Sequence, residues 1–281
     1  MSYSSLKRRV SIIMGIYNCA ETLPEAIDSL LSQTFVDWEL IMCDDASTDE
    51  TKNIAKSYER KYENILVLEN DRNRGLAYSL NHCLEYAKSE YIARMDGDDI
   101  SLNDRLEKEV LFLETHQEYA FVSCSMVCFD KEGDWGVQIN KTIPTKEDFA
   151  YKSPFCHAPC LMRREVLNKI GNYTVRDYLR RGQDYYLWYK FYKAGFKGYN
   201  LQEPLYKMRD DKNAAKRRTF RDAIDGCRRR LEVARGLGLP WHKRIYAFRG
   251  FLVTIIPKGL YMKMHKKHVL AMAKKLNQWD D

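Results

Sequence analysis

Tyr91-Ile92-Ala93-Arg94-Met95-Asp96-Gly97-Asp98-Asp99 is an apolar run that stops on three carboxylates. The run reads as a buried strand, and the acids mark its carboxyl end. Clustered carboxylates there are costly unless a cation neutralises them. Hard divalent ions take one or two carboxylates and fill their shells with water and substrate phosphates. Gly97 lets the backbone carry the flanking acids close to a ligand. The competing reading is an exposed acidic turn leading a helix from Leu102, with Asp98 and Asp99 favouring its N-terminus. Spacing alone does not separate the two.

Working outward, strand-like and helix-like segments alternate. Apolar runs at Val10–Tyr17, Glu39–Cys43, Ile65–Leu68, Tyr91–Met95 and Ala120–Phe129 are separated by helical stretches. Those stretches are Leu23–Gln33, Glu50–Tyr62, Gly75–Ala87 and Leu102–Thr115. Thr22 with Glu25 three residues on is expected to form a capping box. Short connections between alternating elements imply a mostly parallel, Rossmann-like sheet flanked by helices, whose ligands bind beyond the carboxyl ends of the strands. The polar clusters fall at those ends: Gly15, Tyr17 and Asn18; Asp44 and Asp45; Asn73, Arg74 and Gly75; Asp96, Asp98 and Asp99. Any one of them suits an ordinary turn, but four consecutive strand ends describe one crevice. After about residue 140, Pro144, Pro154 and Pro159 break the pattern, a turn is expected at Gly171-Asn172, and helix Gln183–Ala194 should end at Gly195.

With 281 residues and 45% hydrophobic content, the chain suits one large globular domain, or one domain plus an appendage. The net charge of +7 is uneven, with +13 on residues 212–281 against −6 on residues 1–211. Eight scattered cysteines suggest reduced, buried thiols in a cytoplasmic protein. The pairs Cys124/Cys128 and Cys156/Cys160 lack the tight C-x2-C turn of a structural zinc site. No stretch approaches the run of about 18 uncharged apolar residues that a spanning helix needs.

In order and spacing, these stretches resemble the inverting glycosyltransferase family 2 with its GT-A fold. The matching segments are VSIIMGIYN (10–18), Gln33-Thr34-Phe35 leading through Trp38-Glu39-Leu40 to DDASTD (44–49), Asn73-Arg74-Gly75-Leu76-Ala77, and YIARMDGDD (91–99). A looser match continues through His157–Arg164, Ile170–Tyr173 and Gln183–Trp188, so the likeness covers roughly residues 9–206. It implies a catalytic domain over 1–211, with a nucleotide-sugar half at about 9–115 and an acceptor half at about 116–211. A basic helical extension would occupy 212–281.

The resemblance also implies roles. Gly15, Tyr17, Asn18 and Asp45 would line the nucleotide pocket, with Asp45 addressing the base, and Arg74 would approach the base or diphosphate. Asp96 would lie near the ribose, and Asp98, with Asp96, would hold Mg2+ or Mn2+ on the diphosphate. Asp184 would be the general base. Gly15 stands where proline is common, and Gln183 where glutamate often precedes the base. The implied reaction is transfer from a nucleotide sugar, UDP-linked by expectation, to a glycan or lipid-linked acceptor in surface polysaccharide synthesis.

The chemistry suits these residue types. Displacing a nucleoside diphosphate builds charge on the departing phosphates, which a metal stabilises. The attacking hydroxyl needs one carboxylate base, in contrast to the two that a glycosidase uses. A nicotinamide-binding enzyme would need a G-x-G-x-x-G run, which is absent. A nucleotidyltransferase would want a glycine-rich basic loop after the first strand, where Tyr17-Asn18-Cys19-Ala20 stands instead. A catalytically silent sugar-nucleotide or scaffold protein would have no call for Asp98 and Asp184.

In the basic tail, Phe220, Ile224, Cys227, Leu231 and Ala234 form one helical stripe, with Arg217, Arg218, Arg221, Arg228 and Arg229 off it on a solvated face. The apolar, aromatic run Ile245–Pro257 is followed by Lys258, Lys263, Lys266, Lys267, Lys274 and Lys275. Residues 240–281 therefore suit an anionic membrane surface, on the inner face of the cell membrane. No base-reading motif points to nucleic acid.

Overall fold

The computed structural model describes residues 8–210 and 219–251, with Met264 and Leu270. The first half runs β1 (Val10–Ile16), α1 (Leu23–Leu31), β2 (Trp38–Asp44), α2 (Thr51–Lys61), β3 (Ile65–Glu69), α3 (Leu76–Tyr86) and β4 (Tyr91–Arg94). Each expected element is present, with ends shifted by a few residues. The expected capping box is not. Thr22 makes no side-chain cap, because its hydroxyl donates instead to the Gly97 carbonyl at 3.0 Å, tying the start of α1 to the acidic loop.

The chain continues through β5 (Ile100–Ser101), α4 (Arg105–Thr115), β6 (Phe121–Asp130), β7 (Gly133–Gln138), β8 (Leu161–Arg163), α5 (Arg164–Lys169), α6 (Gln183–Lys193) and β9 (Gly198–Arg209). The helix expected from Leu102 begins later because Ile100 and Ser101 pair with Lys207 and Tyr206 of β9. Gly171, Asn172 and Gly195 all adopt positive φ, which places the two turns where the sequence suggested them.

The nine strands make one sheet in the order β3-β2-β1-β4-β8-β6-β9-β5, with β7 on β6. β3, β2, β1 and β4 are parallel, and their carboxyl ends share one edge. Beyond β4 the sheet is mixed, since β8 runs antiparallel to both β4 and β6 while β6 and β9 run parallel. Alternate residues of β1 feed two cores. Ile13 packs on one face with Phe121, Trp188 and Phe191, and Ile12 and Met14 on the other with Leu40, Tyr91 and Leu106. Such fully buried side chains each contribute about 1.5–3 kcal/mol.

After residue 218 follow α7 (Phe220–Gly236) and the short α8 (Trp241–Arg244). Val233, Ala234, Leu237 and Leu239 join the core around Trp188, so this region packs on the sheet domain. The expected stripe holds only in part. Cys227 and Ala234 are buried, but Phe220 and Ile224 are 64% and 48% exposed, and Ala223 is buried instead. Arg229 also departs from expectation: it is half-buried, not on a solvated face. Most of the membrane-surface segment lies outside the described residues. Its described start exposes Trp241, Ile245 and Phe248. Among the described residues no helix is long and apolar enough to cross a membrane.

Candidate active site

Gly15 lies next to the end of β1, where a Cβ would come 2.8 Å from Leu76 Cδ1 at the start of α3, so a side chain there would require Leu76 to shift. Tyr17 is exposed beyond it. Asn18 knits the first two strand ends together: its N–H donates to Ser47 Oγ at 3.1 Å, and its Oδ1 accepts from the Thr48 N–H at 2.8 Å.

Asp45 is buried, and its carboxylate is engaged by the chain itself. Oδ1 accepts from Asn70 Nδ2 at 2.7 Å and the Arg74 N–H at 2.8 Å, and Oδ2 from the Gly75 N–H at 2.8 Å. It therefore shapes the loop that carries Arg74. The Arg74 guanidinium is held by Asp71, with Nε at 2.7 Å, and lies over the Tyr78 ring.

After β4, Arg94 grips both oxygens of Asp96, with Nη1 to Oδ2 at 2.5 Å. Burial opposes the Arg94 charge, and Asp96 together with Tyr206, Tyr173 and Cys160 outweighs this, so its proton is held more firmly than usual. Asp99 is buried and accepts from the Arg209 N–H at 2.8 Å. Asp96, Asp98 and Asp99 can each aim a carboxylate oxygen so that all three lie within 4.8 Å of one another. Burial and then the Asp96 charge raise Asp98, and burial with the Asp96 and Asp98 charges raises Asp99 well above the ordinary carboxylate range. An all-oxygen donor set of this kind suits Mg2+ or Mn2+. Arg94's two bonds leave lone pairs on Asp96, which offers about four acceptor sites.

Asp184 sits in the first turn of α6, behind Gly182 at φ +109°, and accepts from Ser153 Oγ at 3.4 Å. Tyr173 is buried, and its hydroxyl bonds His157 Nε2 at 2.8 Å. Burial raises the Tyr173 hydroxyl well above its ordinary value, and Cys160, Asp184 and Asp96 add to the shift. His157 is driven well below its ordinary value by burial and then by Arg94, so it stays neutral.

The four strand ends are brought together as expected, and Asp184 stands in the second half, in the first turn of α6. Sequence reasoning passed over three groups: Arg94, Asp99 as a third convergent carboxylate, and Ser153. Arg94 and Asp99 stand inside the stretch that marked the site. Ser153 carries no local signal. A cleft of about 760 Å³ lies away from this crevice, lined by Arg8, Arg9 and Lys88 ahead of β1 and β4 and by Arg163 and Arg164 where β8 meets α5, among others.

The glycosyl transferase family 2 model matches residues 11–171. The chain is 45% identical to EpsE of Bacillus subtilis (strain 168) over 263 residues, 93% of this chain and 95% of that one. It is 29% identical over 86% of its length to WfaP of Escherichia coli, a UDP-Glc:alpha-D-GlcNAc-diphosphoundecaprenol beta-1,3-glucosyltransferase, 94% of which is covered. In fold it is similar to S. aureus TarS 1–349, solved with UDP-GlcNAc, with a TM-score of 0.67 at 20% identity over 87% of this chain and 71% of that one. The mannosyltransferase PcManGT of Pyrobaculum calidifontis, solved with GDP-Man and Mn2+, gives 0.61 at 17% identity over 98% and 84%. A parallel half-sheet whose strand ends converge on Asp96, Asp98 and Asp99, together with the match over 11–171, shows that this chain belongs to glycosyltransferase family 2, with the GT-A fold.

Proposed function

We propose that the protein transfers a sugar, with inversion, from a UDP-linked donor to a lipid-linked saccharide in surface polysaccharide assembly. One observation carries this most directly: Asp96, Asp98 and Asp99, at the carboxyl edge of the parallel strands, converge with carboxylate oxygens within 4.8 Å of one another. The donor and acceptor classes draw on the relatives, since WfaP is named for UDP-Glc and a diphosphoundecaprenol acceptor. The catalytic unit would span 1–211, with 212–281 as its basic extension.

In this reading Asp184 takes the proton of the attacking acceptor hydroxyl, and Ser153 orients it. Gly15, Tyr17 and Asn18 line the nucleotide pocket. Asp45 reaches the nucleotide chiefly through the loop that it organises, and Arg74 stands at the rim of that loop. Asp98, with Asp96, would hold a divalent ion, which supplies charge neutralisation at the departing diphosphate. The tail from residue 240 would rest on an anionic membrane surface, since Trp241, Ile245 and Phe248 are exposed beside Lys243, Arg244 and Arg249. This would keep the protein on the cytoplasmic face, near lipid-linked acceptors.

The test is a screen of nucleotide sugars for metal-dependent transfer to a diphosphate-linked saccharide acceptor, with Asp184→Asn alongside. Asp184→Asn should lower transfer about 10²–10⁴-fold while UDP affinity stays near wild type. If donor binding and transfer fall together, Asp184 belongs to the binding site and is not the base.

A further inference from the structure

α7 reaches further into the site than a packing helix needs to. Arg229 lies with its guanidinium flat against Gly182, where a Cβ would come within 2.5 Å of Arg229 Cζ. Gly182 also has φ +109°, so a residue with a side chain is doubly unwelcome there. Gly182 is the N-cap of α6, and Asp184 stands two residues on. Among the described residues the Arg229 guanidinium makes one hydrogen bond, Nη1 to the Tyr178 carbonyl at 3.3 Å, and its buried Nε has no partner there.

Two further bonds hold the same segment from the same helix. Glu232, one turn along α7, accepts from Tyr178 and Tyr186 hydroxyls at 2.6 and 2.7 Å, one on each side of Asp184 in sequence. α7 therefore grips residues 178–186 at both ends, with Arg229 between. Burial works against the Arg229 charge, and Asp184 is the foremost group that favours it, with Tyr185 and Asp225 assisting and Arg230 opposing. A half-buried cation with an unused donor, set beside the turn that presents Asp184, has no structural need that a neutral side chain could not meet.

We infer that Arg229 is a positioning residue for Asp184: its guanidinium fixes the Gly182 turn two residues before Asp184 and bonds the Tyr178 carbonyl at the start of the same segment, so that α7 completes the site. This rests on the reading of Asp184 as the base. It also gives the basic extension a part in the reaction that its sequence did not reveal.

The experiment compares kcat, UDP affinity and melting temperature for wild type, Arg229→Gln, Arg229→Lys, Asp184→Asn and the double variant Arg229→Gln/Asp184→Asn. Arg229→Gln should lower kcat roughly 10- to 100-fold, as misplacement of a reacting group does, with UDP affinity and melting temperature near wild type. Arg229→Lys should recover most of the loss. On the Asp184→Asn background, Arg229→Gln should add little, because both act through one group. Wild-type kcat in Arg229→Gln, or a loss that adds in full to that of Asp184→Asn, overturns the inference. So does a loss matched by falling stability that Arg229→Lys does not relieve. An inactive Asp184→Asn beside an unimpaired Arg229→Gln removes this inference alone. A fully active Asp184→Asn removes the base assignment and this inference with it.

Discussion

Two carboxylates stand at the ends of the strands that flank β1, and they live in opposite surroundings. Asp45, after β2, is 4% exposed and receives three hydrogen bonds of 2.7–2.8 Å from Asn70, Arg74 and Gly75. The Asp98 carboxylate, after β4, accepts none from any other described residue, although Arg209 Nε donates to the Asp98 backbone carbonyl at 2.9 Å, and Asp96 and Asp99 lie close beside it. The first is a satisfied buried acid that fixes backbone. The second is exposed to solvent at its side chain, and its crowded surroundings with the Asp96 charge raise its proton affinity while Arg94 and Arg209 oppose this. A chain that leaves a carboxylate in that condition gains nothing in folding from it, which is the mark of a group kept for a ligand. The same sequence pattern, acids at a strand end, thus serves a scaffold in one place and a proposed metal site in the other.

The comparison breaks most visibly at Asp98. Asp98→Ala should lower metal-dependent transfer by about 10³-fold or more, since the charge on the departing diphosphate loses its counterpart. Its melting temperature without metal should stay level or rise, because a like charge has been removed. Wild-type transfer by Asp98→Ala in the presence of metal would show that the acidic cluster is an ordinary surface turn.

Asp45→Ala is expected to behave in the reverse sense. It strips three donors of their acceptor and should cost about 3 kcal/mol of stability in urea unfolding, with activity falling mainly because the 70–75 loop loses its shape. If Asp45→Ala unfolds like wild type and only weakens UDP binding, Asp45 addresses the nucleotide directly and its internal bonds are incidental.

A third acid sharpens the contrast with the smallest effect. Glu109 is buried against Arg105 with Oε2 at 3.3 Å from Nε, while its Oε1 has no partner. Burial raises its pKa to about 8, with Arg105 opposing. The folded protein then holds a proton that the unfolded chain releases at the ordinary glutamate value. This contribution to stability is present at acid pH and is lost as pH rises towards 8, with a slope of at most about 1.4 kcal/mol per pH unit. Glu109→Gln should flatten that slope in denaturation curves taken between pH 5 and 8. An unchanged slope would mean that Arg105 keeps Glu109 ionised throughout.

Much of the catalytic region was legible because its signals are local. Strand and helix periods, the order of the polar clusters and the YIARMDGDD run (91–99) all lie within short windows, and they led to the sheet, the crevice and the family. Where local rules failed, a distant partner had intervened. Thr22 has the sequence of a helix cap, but the Gly97 carbonyl captured its hydroxyl. Phe220 belongs to a helical stripe by spacing, yet it lies against Phe251, with ring centroids 5.8 Å apart, and not in the sheet domain's core.

By itself, then, the sequence determined the alternating α/β order, the strand ends where charge gathers and the reactive residue types. These follow from periodicity and from the cost of crowding acids in a few consecutive positions. Only the tertiary structure decided which acids are satisfied and which are left wanting. Asp45 is saturated by residues 25 to 30 positions away in the chain, Asp96 is gripped by Arg94 rather than left free, and Asp99 turns towards the same point. It also carried Arg229 across to Gly182 from a helix that reads as an appendage. Hydrogen bonds and charge act over a few ångströms of space whatever the distance along the chain, so the assignment of partners belongs to the fold.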